Sequence, residues 1–326
     1  MKISVVIPAF NCGLSIGRCL DSVLAQTRSA DEIVIIDDGS SDNTAEICAD
    51  YSKQYAQIKY YYQDNAGVAE ARNKGIDLAT SKWVAFLDSD DAWLPEKLAV
   101  QASFIDDNPE IAWIAGAFQK VKLLNDKYLD AGAVSTMPGS ELVAVSMCNA
   151  LQLLAGEIQI WTGTVMMRRE TVQSLGGFPT GWQVAEDLDL WVRFAIQEPM
   201  IGYACKPIAV YTVDQPSSLT GSASDSISPA KLKFFRRLAD QIENLQADEK
   251  QLCEKIFDRY AGQYAFNLAR TGNYKASKEF VNWFRTNGFR VPGWRYRWIH
   301  LVPFRLVHWL RTLMRNFRST SCFLLY

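Results

Sequence analysis

Histidine is nearly missing from this chain: His300 and His308 are the only two in 326 residues. Neither lies near another candidate for chemistry, so no histidine-based metal site and no histidine general base is expected. Paired cysteines are missing too. Cys12, Cys19, Cys48, Cys148, Cys205, Cys253 and Cys322 are odd in number, scattered and never spaced C-x-x-C. That pattern argues against a zinc site or a disulfide frame and points to a reducing compartment. No uninterrupted apolar run reaches the roughly 18 residues needed to span a bilayer, so a soluble or membrane-surface protein is expected. The uncharged stretch "ISVVIPAFNCGLSIG" is broken by Pro8, Asn11 and two glycines, which suits a buried strand and loop better than a signal peptide. No G-x-G-x-x-G follows that strand, which argues against a dinucleotide site.

Negative charge is missing from the end of the chain. No acidic residue follows Glu279, whereas from residue 290 on stand Arg290, Arg295, Arg297, Arg305, Arg311, Arg315 and Arg318. Of 34 basic residues these take seven, leaving 27 against 36 acidic ones in a mildly acidic body. A basic tail on such a body suggests an anionic surface as its partner. With 48% hydrophobic and 21% charged residues the composition is that of a folded globular chain, long enough for one large domain with an appendage or two modest ones.

What is present begins with alternating strand and helix patterns. "ISVVI" (3–7), "EIVIID" (32–37), "IKYYY" (58–62) and "WVAFL" (83–87) read as strands. Between them lie helical patterns near 14–26, after Gly39, and over 66–79. Such repeats predict an α/β fold, a Rossmann-like, mostly parallel sheet with helices on both faces and its ligand at the carboxyl ends of the strands. Those ends read "PAFN", "DDGSSD", "QDNAG" and "DSDD". Further on, a helix is expected over 141–156, a strand entering a turn over 162–172, a loop over 176–182, a helix over 186–195 and a last strand over 206–213. The Ser, Gly and Pro-rich stretch 214–229 marks a boundary, and helices are expected from about 230 to 282.

The carboxylates carry the chemistry. Asp88, Asp90 and Asp91 crowd the end of the fourth strand. Residues two apart on extended backbone point the same way, about 6.5 to 7 Å apart, so Asp88 and Asp90 can address one hard cation such as Mg²⁺ or Mn²⁺. The alternative is an acidic turn whose aspartates cap a helix. Asp37 and Asp38 end the second strand, where a carboxylate can accept from a base N–H or a ribose hydroxyl, or simply serve the D-G turn. Arg72, near the start of the third helix, can join helix amides in an anion site or be a solvated arginine paired with Asp64 or Glu70. Glu186, Asp187 and Asp189 crowd a first helical turn; they can complement the dipole, or one can take a proton from an attacking hydroxyl.

Together "SVVIPAFN", "IVIIDDGSSDNT", "NAGVAEARNKGI", "FLDSDD" and "GGFPTGWQVAEDLDLWVRF" resemble, in order and spacing, glycosyltransferase family 2, whose members are inverting enzymes of the GT-A fold. The likeness spans about residues 1–215. It implies that Pro8, Ala9 and Asn11 line the nucleotide pocket, that Asp38 meets the base, commonly uracil, and that Arg72 lies by the nucleotide. It makes Asp88 and Asp90 the D-x-D pair, with Asp88, Asp90 and Asp91 as candidate ligands of Mn²⁺ or Mg²⁺. It makes Asp187, in the E-D pair with Glu186, the general base, and leaves Trp191 and Arg193 structural. One departure stands out: many relatives carry Tyr-Arg-x-His where this chain has Tyr211, Thr212, Val213 and Asp214.

The domains expected are a catalytic one over 1–215, a linker over 216–229 and a helical region over 230–326. "PFRLVHWLRTLMRNFR" (303–318) sorts into an arginine face and an apolar face, the pattern of a helix lying on an anionic membrane or packed on protein. The expected activity is metal-dependent transfer of a sugar from a nucleotide sugar, a UDP-sugar first, to a lipid-linked glycan or polysaccharide, at the cytoplasmic face of the cell membrane and without a nucleic-acid partner. A sugar nucleotidyltransferase and an inactive nucleotide-sugar-binding scaffold are the alternatives.

Overall fold

The structure, a computed structural model, describes residues 1–124, 127–134, 145–156, 158–182, 185–213, 229–242, 244–270 and 274–286. The expected linker up to residue 228, Asp214 and the arginine-rich tail, with both histidines, lie outside the described residues.

The chain divides into two compact units, Met1–Ala223 with Gln246–Cys253, and Ser224–Leu245 with Glu254–Tyr326. The first is built on a mixed sheet. Its leading strands β1 (Ile3–Ala9), β2 (Glu32–Asp38), β3 (Ile58–Gln63) and β4 (Trp83–Phe86) alternate with helices α1 (Ile16–Leu24), α2 (Thr44–Gln54) and α3 (Val68–Leu78). They pair in parallel in the order β3-β2-β1-β4. Every residue of β1 and β4 is buried, because helices cover a parallel sheet on both faces and its inner strands need unbroken apolar runs. α1 seats itself with Ile16, Cys19, Leu20 and Val23, at the i, i+3, i+4, i+7 spacing of one buried face. Leu20→Ala would cost about 2–5 kcal/mol in transfer energy and cavity.

Past β4 the sheet changes character. β5 (Ala92–Trp93), α4 (Lys97–Asp107), β6 (Trp113–Leu124), β7 (Lys127–Val134), β8 (Val145–Asn149), α5 (Ala150–Ala155), β9 (Met166–Arg168), α6 (Arg169–Ser174), α7 (Glu186–Gln197) and β10 (Met200–Val213) follow. The order continues β4-β9-β6-β10-β5, with β7 on β6 and β8 on β10. β9 joins both β4 and β6 antiparallel, whereas β6 and β10 run parallel. The sheet is thus parallel where it meets the first loops and mixed beyond.

Three sequence expectations change here. The helix expected over 141–156 is, among the described residues, a strand and then a short helix, because Val145–Asn149 pairs antiparallel with Met200–Ala204. Asn149 then caps α5 by accepting from the Gln152 N–H at 3.0 Å. The segment 162–172 holds a single 3-10 turn at Thr162–Thr164, then β9 and α6. The last strand begins at Met200, six residues earlier than expected.

The second unit contains α8 (Pro229–Ile242), most of α9 (Ala247–Arg270) and α10 (Tyr274–Thr286). Its core is aromatic: Phe235 stands 5.1 Å from Phe257 and 5.6 Å from Phe280, and Tyr264 stands 4.9 Å from Phe280, ring centre to ring centre.

Candidate active site

The carboxyl ends of β1 and β2 carry two loops that are laced together. Asn11, at φ 45°, accepts the Ser41 N–H at 2.8 Å, and its own N–H donates to Ser40 Oγ at 2.9 Å. The Cys12 N–H donates to Thr44 Oγ1 at 2.9 Å and the Gly13 N–H to Asp42 at 3.0 Å. Burial works against ionising Asp42, yet the Thr44 hydroxyl and the N–H groups of Gly13 and Thr44 hold its carboxyl below the usual range. Pro8 and Ala9 are buried in β1 opposite Ile36 and Asp37, so they can floor a pocket here but not grip a ligand through their side chains.

Asp38, expected at a nucleobase, is turned to its own neighbours. It is 3% exposed, and its carboxylate accepts from Gln63 Nε2 at 2.7 Å, the Ala66 N–H at 2.8 Å and the Gly67 N–H at 2.8 Å. It therefore fixes the "QDNAG" loop at the start of α3. Asp37 accepts from the Ser40 N–H at 2.9 Å and the Tyr60 hydroxyl at 2.7 Å. Gly39 makes the closure possible: its φ is 83°, and a Cβ there would stand 2.8 Å from the Asn65 nitrogen.

Arg72 is the hub on the other side. The residue is 4% exposed; Nη2 donates to Asp88 Oδ1 at 2.7 Å and Nη1 to Glu186 Oε1 at 3.0 Å. The Phe178 ring lies beneath it, 5.2 Å from the guanidinium carbon. Burial opposes the charge, but Asp88 and Glu186 overcome that and raise its pKa. One side chain thus ties the end of β4 to the start of α7, 114 residues apart for Arg72 and Glu186. The alternatives of pairing with Asp64 or Glu70 are not what the structure places there.

The three aspartates after β4 do not form one ligand set. Backbone over 88–90 is a turn, closed by the Asp91 N–H on the Asp88 carbonyl at 3.1 Å, not the extended chain that would aim Asp88 and Asp90 the same way. Asp91 is corrected most: it is 1% exposed and accepts the Thr212 N–H at 2.7 Å, bracing β10. Its Oδ2 finds no donor. Asp88 and Asp90 remain half-buried, and the Asp90 carbonyl accepts from Arg18 Nη2 at 3.1 Å. Burial first, then the neighbouring Asp88, pushes the Asp90 carboxyl up to about 6. Among the described residues no preformed group of three or more potential metal ligands exists.

Asp187, the expected general base, is half-buried in the first turn of α7. Its Oδ1 accepts the Leu188 N–H at 2.7 Å, and its Oδ2 accepts the Thr162 hydroxyl at 3.3 Å. Burial and the adjacent Glu186 push it up to about 6, with Arg72 pulling the other way. Asp189 instead pairs with Arg193 at 2.7 Å. Arg193 goes on to donate to the carbonyls of Leu175 and Gly177 at 2.6 and 2.7 Å, so it holds the "GGFP" loop.

Two contacts had no signal in the sequence. Asn73 pairs with the backbone of Phe178 through Nδ2 and Oδ1, both at 2.8 Å, and so seats the ring under Arg72. Thr162 reaches Asp187 from a turn that periodicity could not reveal. A groove of about 460 Å³ between α2 and β3, lined by Ala49, Ser52 and Ile58 to Tyr61, includes none of the site carboxylates.

With this geometry in hand, comparison with known proteins is informative. Residues 4–143 match the profile described as Glycosyl transferase family 2. The chain is 43% identical over 114 residues to the uncharacterized glycosyltransferase YibD of Escherichia coli, covering 34% of this chain and 33% of that protein. It is 33% identical over 201 residues to an uncharacterized glycosyltransferase of Rickettsia conorii, covering 62% of this chain and 31% of that one. The chain thus spans about a third of the length of these curated relatives. Among solved structures, S. aureus TarS in complex with UDP-GlcNAc superposes with a TM-score of 0.72 at 22% identity, covering 86% of this chain and 79% of that one. That likeness establishes the shared GT-A architecture.

Proposed function

Residues 4–143 match glycosyl transferase family 2, and from that premise we propose that this chain transfers a sugar from a nucleotide sugar, a UDP-sugar first, to an acceptor hydroxyl with inversion. The observation that carries the reading is the Arg72 hub, which brings the β4 aspartates and the Glu186–Asp187 pair to one end of the sheet. The UDP-GlcNAc held by TarS supports the donor class.

Asp187 acts as the base. As the acceptor oxygen attacks the anomeric carbon from the face opposite the leaving nucleoside diphosphate, its proton passes to the Asp187 carboxylate. A carboxyl at about 6 is ionised at neutral pH yet basic enough to help. Arg72 contributes positive charge beside the departing diphosphate. The residues present suit a divalent cation, since Asp88 and Asp90 repel each other and Arg72 and Arg18 offset that only in part, leaving Asp90 raised. Asp88 and Asp90 would hold Mn²⁺ or Mg²⁺, which when bound supplies charge to neutralise the leaving diphosphate.

For the acceptor we take a lipid-linked glycan or polysaccharide, with the protein at the inner face of the cell membrane. The support is the arginine and tryptophan pattern of residues 303–318.

Nucleotide sugars screened with and without Mn²⁺ or Mg²⁺ test the activity. Release of nucleoside diphosphate with an inverted product is expected; release of pyrophosphate instead would make the protein a nucleotidyltransferase. Vesicles containing anionic lipid should retain the full chain and release a chain lacking 303–318; equal retention of both would remove the membrane assignment.

A further inference from the structure

Asp187 is fixed by a group that lies outside every motif of the family resemblance. Thr162 is 2% exposed and stands at the start of the 3-10 turn before β9, where its hydroxyl donates to Asp187 Oδ2. With the Leu188 N–H on Oδ1, the two donors hold one carboxylate oxygen each, which fixes the plane of the group.

The turn is itself held from behind. Trp93 Nε1 donates to the Gly163 carbonyl at 2.7 Å, and Gln101 Nε2 donates to the Thr164 carbonyl at 2.8 Å. Lys97, fully buried, donates to Gln101 Oε1 at 2.7 Å and lies 4.0 Å from the centre of the Trp93 ring. The Thr164 hydroxyl closes on the Trp161 carbonyl at 2.8 Å. Residue 163 must be glycine, because a Cβ there would stand 2.4 Å from the Trp161 ring. Such bracing serves no loop that merely connects elements, since two carbonyls are each gripped by a dedicated buried donor.

We propose that Thr162 is a positioning residue that orients the Asp187 carboxylate toward the acceptor hydroxyl, with Trp93, Gln101 and Lys97 as the scaffold that holds it there. The inference deepens the transfer reading and rests on it. Aligning a base within hydrogen-bond reach of its proton governs how much it accelerates the step. A donor on the carboxylate also favours its ionised form, so removing the hydroxyl makes Asp187 a stronger but worse-aimed base. The charged groups that face Asp187 are Glu186 beside it, Asp88 beyond and Arg72 opposite, and none of them changes in the variants below.

The test compares Thr162→Val with Thr162→Ser in the full chain. Expected for Val is a kcat lower by about tenfold, the loss of roughly one charge-assisted hydrogen bond, with the donor KM unchanged and the acid limb of kcat moved upward. Ser should restore both. An unmoved limb with unchanged kcat overturns the proposal, as does a loss that Ser shares and that tracks thermal unfolding. Carbon NMR titration of the Asp187 carboxyl, assigned with Asp187→Asn, gives a readout that needs no turnover. A Thr162→Val titration superimposable on wild type sinks the inference even if no nucleotide sugar is turned over, whereas a wild type without transfer and with a moved titration sinks the transfer reading alone.

Discussion

The two sides of the sheet end are built on opposite principles. Around β1, β2 and β3 the polar groups satisfy one another: Asn11, Asp37, Asp38, Asp42 and Thr44 spend their hydrogen-bonding capacity on neighbouring loops. Around β4 and α7 like charges are crowded and only partly compensated, with Asp90 and Asp187 both pushed up to about 6 and one oxygen of Asp91 left without a donor. The first arrangement gives rigid walls. The second stores electrostatic cost where a cation or a proton would relieve it. Shape on one side and unmet charge on the other is the division of labour expected of a site that grips a ligand and then acts on it.

The strongest way to break that contrast is Asp187→Asn. The variant should bind donor as the wild type does and lose about 10² to 10⁴ in kcat, the usual reach of a general base. In the wild type the rate should fall as pH drops through about 6, because protonated Asp187 cannot accept a further proton. Transfer near the wild-type rate in Asp187→Asn, measured at saturating donor, would remove the assignment.

Arg72→Met comes next, acting on the tie between the two carboxylate-bearing segments. Losing one partner of a buried ion pair costs about 3–5 kcal/mol, because the other charges stay behind without compensation. Urea unfolding at neutral pH reads that loss. The acid limb of any residual activity should also move above about 6, since burial and Glu186 already raise Asp187 and Arg72 is the group that opposes them. An unchanged unfolding midpoint would show that the ion pairs contribute no net stability.

How much of this was legible in the sequence follows the same contrast. The parallel half was readable because each strand there is a short apolar run that finds its partner a helix later, and β1 to β4 fall within two residues of their expected ends. The mixed half was not. β6 and β7 carried no period that set them apart, and β8 lies in a stretch whose apolar residues fit a helix until β10 pairs with it. At the site, residue types were readable and orientation was not. Arg72 joins Asp88 to Glu186, a pairing that no spacing announced, and Asp91 turns inward because its backbone leaves the strand in a turn. Thr162 gave no signal at all, since a threonine before a glycine has no code for the carboxylate 25 residues onward.

Lys97 probes the buried scaffold beneath the charged side. Burial pushes its ammonium well below the usual lysine range, and Gln101 Oε1 is its hydrogen-bond partner. Lys97→Met leaves that amide oxygen without a donor, at a cost of about 1–3 kcal/mol. The sign with pH is definite. A lysine that is harder to protonate folded than unfolded makes the wild type gain stability as pH rises toward the unfolded lysine value of about 10.4. Methionine has no such gain, so the deficit should widen from pH 7 to 10 in thermal unfolding; a constant deficit would mean that burial does not disfavour the charge.

The smallest effect is expected on the satisfied side. Asn11→Ala removes the acceptor for the Ser41 N–H and hydroxyl and places a side chain that cannot bond locally at φ 45°. Asparagine tolerates that left-handed backbone better than alanine does, so about 1–2 kcal/mol of local order should go. Asn11→Gly keeps the backbone permissive and isolates the hydrogen-bond part. If these loops supply shape and not chemistry, both variants raise the donor KM by severalfold and leave kcat at saturation where it was, the reverse of Asp187→Asn. A fall in kcat with KM unmoved would place a catalytic demand on Asn11, and the division between a rigid wall and a charged one would no longer hold.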